Sequence, residues 1–178
     1  MPERLDRGFY CRDVLEVAPG LLGQHVVIPG HHGNRSAYVI TETEAYRGTA
    51  DRACHASKGR TARTDVMFRD GGHLYMYLIY GIHWMMNVVT AGEGVPQAVL
   101  IRGVRELGGQ ERLAGGPGRV TSLMGMDGSF YGEDLVSSGR IWIERGGIAP
   151  EFHTGHRIGI DYAGEPWISK PWRFLMKV

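Results

Sequence analysis

The chain has 178 residues, 43% hydrophobic and 22% charged, with a formal net charge of +1. That length supports one well-cored domain and is short for two. The composition is ordinary for a globular protein. No apolar run approaches the roughly 18 residues of a membrane span, and the overall charge gives no blanket reason to expect nucleic-acid binding. Residues 1–7 lack an apolar h-region, so secretion is not expected. Cys11 and Cys54 are too few for a disulfide framework, and a reduced, intracellular protein is the simplest expectation. Of the 20 basic residues, 17 are Arg. The planar guanidinium suits phosphates and base edges, although a GC-rich coding bias would give the same excess.

Residues 14–22 read as a short helix that ends at Gly23, with Asp13 as N-cap. Residues 25–28 read as a strand, followed by a turn through Gly30, Gly33 and Asn34. In residues 38–46 polar and apolar positions alternate among β-branched neighbours, which predicts a strand. Its core is Ile40-Thr41-Glu42-Thr43-Glu44-Ala45-Tyr46. Side chains at i, i+2 and i+4 share a face, so Glu42, Glu44 and Tyr46 point the same way, about 7 Å apart. A carboxylate beside an aromatic ring suits a pocket that holds a flat ligand and brings a base to its edge. A half-solvated edge strand with two surface glutamates is the alternative, and the strand alone leaves both open.

Residues 47–72 form a polar, Gly-punctuated segment that carries His55. At about 25 residues it is too long for an ordinary structureless loop, so it is functional or holds a short helix. Lys58, Arg60, Arg63 and Arg69 cluster here, with Asp65 and Asp70 nearby, and could track a phosphate backbone. Arg119, further along, is another candidate phosphate contact. Residues 75–80 and 85–90 flank a Gly-containing break and read as a hairpin. Tyr75 and Tyr77 share one strand face. Tyr80 falls at the tip, where an exposed ring needs a partner surface; three tyrosines edging the core is the other reading. Residues 98–102 form an apolar strand ending in Arg102. Residues 107–118 are Gly-rich and poorly periodic, and 120–124 give one or two helical turns. Residues 141–144, 157–160 and 172–178 read as strands. Strands separated by turns predict a mainly antiparallel α+β sheet. The histidine pairs His31-His32 and His153/His156 fall in a turn and a loop without matching Cys or carboxylate spacing, so no metal site is expected.

A series of words in this order resembles the alkyladenine (3-methyladenine) DNA glycosylase family. They are Leu21-Leu22-Gly23, Glu42-Thr43-Glu44-Ala45-Tyr46, His55-Ala56-Ser57, Met67-Phe68, the run Leu74 to Gly81, Met86-Asn87, Val99-Leu100-Ile101-Arg102, Gly116-Pro117-Gly118-Arg119, Arg157-Ile158-Gly159 and Lys170-Pro171-Trp172-Arg173-Phe174. The resemblance implies a single domain built on a curved antiparallel sheet with peripheral helices and a protruding hairpin. It implies a monofunctional hydrolase that removes damaged purines from duplex DNA, acting as a monomer without metal or organic cofactor. Glu44 matches the family's general base, and Arg102 and the carbonyl of Ile158 match groups that help to hold the attacking water. Tyr46, His55 and Tyr77 match the base-stacking walls. Asn87 matches the residue that crowds a guanine amine, and Tyr80 the intercalating residue. Glu42 matches no catalytic role, and a structural one is expected for it.

The chain departs from the pattern in the short connection from Arg102 to Gly116, in His83-Trp84 after the hairpin Gly, and in Cys54 before His55. A carbohydrate-directed glycosidase using Glu42 and Glu44 as its carboxylate pair and a non-catalytic nucleic-acid-binding module remain the rival readings of the same residues.

Overall fold

A computed structural model describes residues 2–177. Two long strands, β2 (Arg35–Arg47) and β5 (Gln97–Leu107), pair antiparallel along most of their length and form the spine of one sheet. Each spine strand divides its outer edge between two partners. The first half of β2 pairs with β1 (His25–Pro29), and its second half, Glu42 to Glu44, pairs with β9 (Arg173–Met176). The first half of β5 pairs with β4 (His83–Thr90), and its second half pairs with β6 (Leu113–Gly115). The forks fall beside Glu42 on one strand and Arg102 on the other. Outward from β4 lies β3 (Leu74–Ile79); β7 (Trp142–Glu144) borders β1 and β8 (Phe152–Gly155) borders β9. All nine strands among the described residues pair antiparallel, and the fold is α+β as expected.

Helices are few and short. In α1 (Arg7–Tyr10) the Asp6 carboxylate accepts the N–H of Phe9. In α2 (Val14–Gly20) the Asp13 carboxylate accepts the N–H of Leu15, as its place at the helix start predicted. Thr43 Oγ1 donates to the Ala18 carbonyl at 2.9 Å and ties α2 to the back of β2. The third helix, α3 (Pro117–Met124), packs on β4 and β5 and stops at Gly125, whose φ of 66° is the left-handed cap that glycine adopts without penalty. Between sheet and helices lies a core that includes Val17, Leu22, Ile40, Met86, Ile101 and Ile143, all buried. β2 has partners on both sides, which excludes the edge-strand reading of its glutamates.

Three segments differ from expectation. Residues 157–160 are not a strand. The ladder runs instead through Phe152–Gly155, so His153 lies on a strand rather than in a loop. The cause is Arg157, whose side chain turns into the interior to meet Asp51, while the Ile158 N–H serves a side-chain acceptor instead of a ladder. In residues 107–118, β5 persists to Leu107 and β6 returns beside it. The long polar segment holds two 3-10 turns, His55–Lys58 and Asp65–Phe68.

The register between β2 and β5 shifts on either side of Glu42, which stands opposite Gly103. A Cβ at 103 would lie 2.7 Å from Thr41 Oγ1 and 3.0 Å from Glu42 Cβ, so only glycine lets the strands close around this irregularity. Gly103→Ala is expected to lower stability by about 1–3 kcal/mol, read from urea unfolding midpoints. An unchanged midpoint would show that the strands absorb the methyl group without cost.

Candidate active site

Glu44 projects from β2 with no exposure to solvent. One carboxylate oxygen, Oε2, accepts the Tyr46 hydroxyl at 2.8 Å. The other, Oε1, accepts the Ile158 N–H at 2.8 Å and lies 3.4 Å from Arg102 Nε. Burial raises the Glu44 pKa above the ordinary carboxylate value, because the charged form has lost water. Arg102, the Ile158 amide, the Tyr46 hydroxyl and Arg157 oppose that rise without cancelling it. Burial, helped by the neighbouring Glu44 charge, likewise lifts the Tyr46 phenol well above its usual value, so it stays protonated and donates.

Tyr46, Arg102 and Ile158 are also walls of a cavity of about 370 Å³, within the range of small-molecule sites. Further aromatic side chains line the same cavity. The His55 and Tyr77 rings meet edge to face with centroids 4.6 Å apart, and Tyr75 lies 5.3 Å from Tyr77. Alternation along β3 carries Tyr75 and Tyr77 to the same face. His55 arrives from the first 3-10 turn and is held by the Tyr75 hydroxyl, 2.8 Å from its Nδ1. Burial, aided by Arg63 and Lys58, lowers the His55 pKa to about 4, so the ring is neutral near pH 7. Asn87, buried on β4, donates to the Tyr75 carbonyl at 3.2 Å and lies in the same cavity wall. At the rim, Tyr80 is 90% exposed. It occupies the hairpin tip with φ 53° and precedes Gly81 at φ 69°, the sign pattern of a type I′ turn.

The structure thus brings Tyr46, His55, Tyr77, Asn87, Arg102 and Ile158 around one slot with Tyr80 at its mouth, and sets Glu44 behind it in contact with Tyr46, Arg102 and Ile158. The Ile158 N–H is engaged by Glu44, and its carbonyl, which the resemblance assigned to the attacking water, is a separate group. The residues of the basic cluster are divided among different partners. Arg60 and Arg69 are held by Asp65 at 2.9 and 3.4 Å. Arg63 leans over the Tyr77 ring, 5.2 Å from its centroid, and lines the cavity. Lys58 and Arg119 are exposed.

Sequence reasoning missed the support behind the slot. Arg157 and Asp51, both fully buried, form a two-bond ion pair at 2.6 and 3.0 Å. The guanidinium also lies 5.0 Å from the ring centroids of Tyr46 and Trp172. It therefore fixes Tyr46 from behind and anchors the backbone that presents Ile158. Asp51 sits in a polar loop with no periodicity, so the one available signal was Arg157 heading an otherwise apolar word.

Comparison with known proteins finds relatives over nearly the whole chain. A protein of Methanocella arvoryzae named "Putative 3-methyladenine DNA glycosylase" is 44% identical over 186 residues, covering 97% of this chain and 92% of its own length. Proteins with the same name from Borreliella burgdorferi and Desulfitobacterium hafniense are 42% and 39% identical, covering 97% and 98% of this chain and 96% of their own lengths. The family model for methylpurine-DNA glycosylase matches residues 8–178. With that match spanning nearly the whole chain, the protein belongs to the methylpurine-DNA glycosylase family.

Proposed function

We propose that this protein is a monofunctional DNA glycosylase that hydrolyses the N-glycosidic bond of 3-methyladenine in duplex DNA. The same slot suits 7-methylguanine, hypoxanthine and ethenoadenine as further substrates. Family membership and the names of the relatives support the reaction class. The observation that carries the mechanism is the buried Glu44 carboxylate behind an aromatic slot.

A base inside a duplex is out of reach of Glu44 and has to be turned out of the stack, at a cost of a few kcal/mol. The hairpin tip supplies a replacement, because the exposed Tyr80 ring can fill the vacated gap. In the slot the base lies between Tyr46 and the His55–Tyr77 pair, where stacking contributes about 1–3 kcal/mol per base. Alkylation often leaves a purine cationic, and a cation gains more than a neutral base from electron-rich faces. A neutral His55 suits that role, since an imidazolium would repel the ligand. Asn87, fixed by its bond to the Tyr75 carbonyl, is placed to crowd the exocyclic amine of guanine, and a clash of this kind discriminates without new attraction.

Hydrolysis then needs one proton transfer. Glu44 takes a proton from water as that oxygen adds to C1′ of the sugar. The C1′–N bond breaks and the purine leaves with the bonding electrons, a cationic alkylpurine departing neutral and a neutral purine departing as an anion that takes up the proton removed from water. A raised pKa makes Glu44 a stronger base than a surface carboxylate, while Arg102 and the Ile158 amide keep the oxygens oriented. The rival readings fit less well. Glu42 and Glu44 share one strand face and one arginine, so they do not flank a scissile bond from two sides. A binding module has no use for a carboxylate buried and held by three donors.

Glu44→Gln is expected to slow base release by about 10²–10⁴-fold while lesion-duplex binding persists, because the stacking walls remain. Gel assays on oligonucleotides carrying single lesions measure the first and gel shifts the second; release within about threefold of the parent sinks the assignment. The same variant tests the energetics. A carboxylate whose folded pKa is raised contributes stability that is full below the unfolded pKa and is lost as pH rises through the folded value. Above that folded value the ionised Glu44 is therefore a burden. Glu44→Gln should melt no lower than the parent there, with its advantage shrinking as the pH falls and the parent protonates. A lower melting temperature there would show that the three donors outweigh desolvation.

Tyr80→Ala leaves slot and base intact and removes the wedge. Loss of about 1–3 kcal/mol of stacking corresponds to roughly 5–150-fold slower release from paired lesions. Lesions already unpaired in a bulge should suffer less, since little unstacking remains to be offset. Equal slowing of both substrates together with a sharp drop in melting temperature would mark Tyr80 as a structural residue.

A further inference from the structure

Glu42 enters the fold at an irregularity the sheet maintains around it, and hydrolysis as written gives it no part. Its surroundings are specific. Glu42 Oε1 accepts Arg173 Nη1 at 2.9 Å and Arg102 Nε at 3.3 Å, and the same Arg102 Nε lies 3.4 Å from Glu44 Oε1. Charges therefore alternate across β9, β2 and β5 in the order Arg173, Glu42, Arg102, Glu44. All four side chains are largely withdrawn from water, with Arg173 the most exposed at 23%. One N–H stands between two carboxylates at nearly equal distance, so whatever one carboxylate draws is withheld from the other. Arg173 neutralises part of Glu42 and leaves more of Arg102 to Glu44.

We propose that Glu42 is a positioning residue: bridged to Arg173, it holds Arg102 in the shared geometry and sets how much of the guanidinium charge acts on Glu44. The inference rests on Glu44 being the general base. It also supplies something Glu44 cannot. When Glu44 takes the proton it ceases to be an anion, just as positive charge develops on the sugar. Arg102 then falls back on its bond to Glu42, so no unpaired guanidinium faces the cationic centre.

The test is the pH dependence of single-turnover release of 3-methyladenine from methylated duplex DNA, with enzyme in excess. That base is cationic in DNA and leaves without an added proton, so the acid limb reports the general base. Besides Arg102 and Glu42, the charged and titratable groups around Glu44 are Tyr46 on its own strand, Tyr77 from β3, Tyr162 from the 3-10 turn Asp161–Ala163, and Arg157 with its partner Asp51. All stay in place in the variants used. Glu42→Gln removes an anion and delivers Arg102 wholly to Glu44, so the limb should move to lower pH by about one unit and the plateau should fall, because the base is weaker. Arg173→Gln removes a cation and leaves Glu42 to draw Arg102 away, so the limb should move to higher pH. Limbs that stay with the parent, or move in the same direction, overturn the inference even if both variants lose activity. Should Glu42→Gln fail to fold, the direction of the Arg173→Gln shift decides alone. Glu44→Gln is run in parallel: release at the parental rate there overturns the general-base reading itself, and the role of Glu42 with it.

Discussion

Everything near the slot answers to one electrostatic constraint, a carboxylate held out of water. An isolated buried anion would neutralise itself by taking up a proton. Glu44 avoids this only in part, because three donors from three places converge on it: a hydroxyl two residues along its own strand, a guanidinium from the neighbouring strand and an amide from the far loop. Their sum leaves the pKa raised, which is the condition a base requires and a stabilising ion pair does not. The site is thus a place where the fold is tuned away from its own stability optimum.

The forked sheet explains how donors so distant in sequence reach one atom pair. A regular ladder would fill both edges of β2 and β5 along their whole length and leave no room for side chains to converge from the sides. Splitting each outer edge between two partners opens the sheet at Glu42 and Arg102. Through the gap on β2, β9 brings Arg173 to Glu42. At the gap on β5, the Gly116 N–H donates to the Arg102 carbonyl at 2.7 Å and steadies the strand where the ladder is interrupted. The buried Arg157–Asp51 pair then closes the rear. A buried pair of this kind contributes less net stability than its geometry suggests, but it binds the β2 strand, the loop after it and the C-terminal tail into one support.

What could be read in advance was what short-range periodicity encodes. Alternation placed Glu42, Glu44 and Tyr46 on one face, and two apolar runs around Gly81 placed Tyr80 at a tip. Both are properties of a few neighbouring residues. The resemblance of ordered words reached further and named His55, Asn87, Arg102 and Ile158, which no local pattern connects. Long-range pairings stayed invisible. Nothing local says that Arg157 abandons a ladder for Asp51, 106 positions away, and so residues 157–160 were expected as a strand. Nor does composition show that Asp65 occupies Arg60 and Arg69, or that Arg63 lies against a pocket ring rather than facing outward. The irregularity at Glu42 was likewise unreadable, because a bulge depends on the partner strand, here on Gly103 having no side chain.

The hairpin tip carries an implication for anyone who would engineer this protein. Tyr80 holds a left-handed backbone conformation that disfavours any residue with a Cβ, by about 1–2 kcal/mol, in a turn position that Asn or Gly would fill comfortably. Nothing in the fold rewards the choice, since the ring projects into solvent. Glycine at this position would make a better turn and leave no ring at the tip. Directed evolution scored on heat tolerance alone would therefore favour its replacement, and would select well-folded proteins without the exposed ring that the proposed wedge requires.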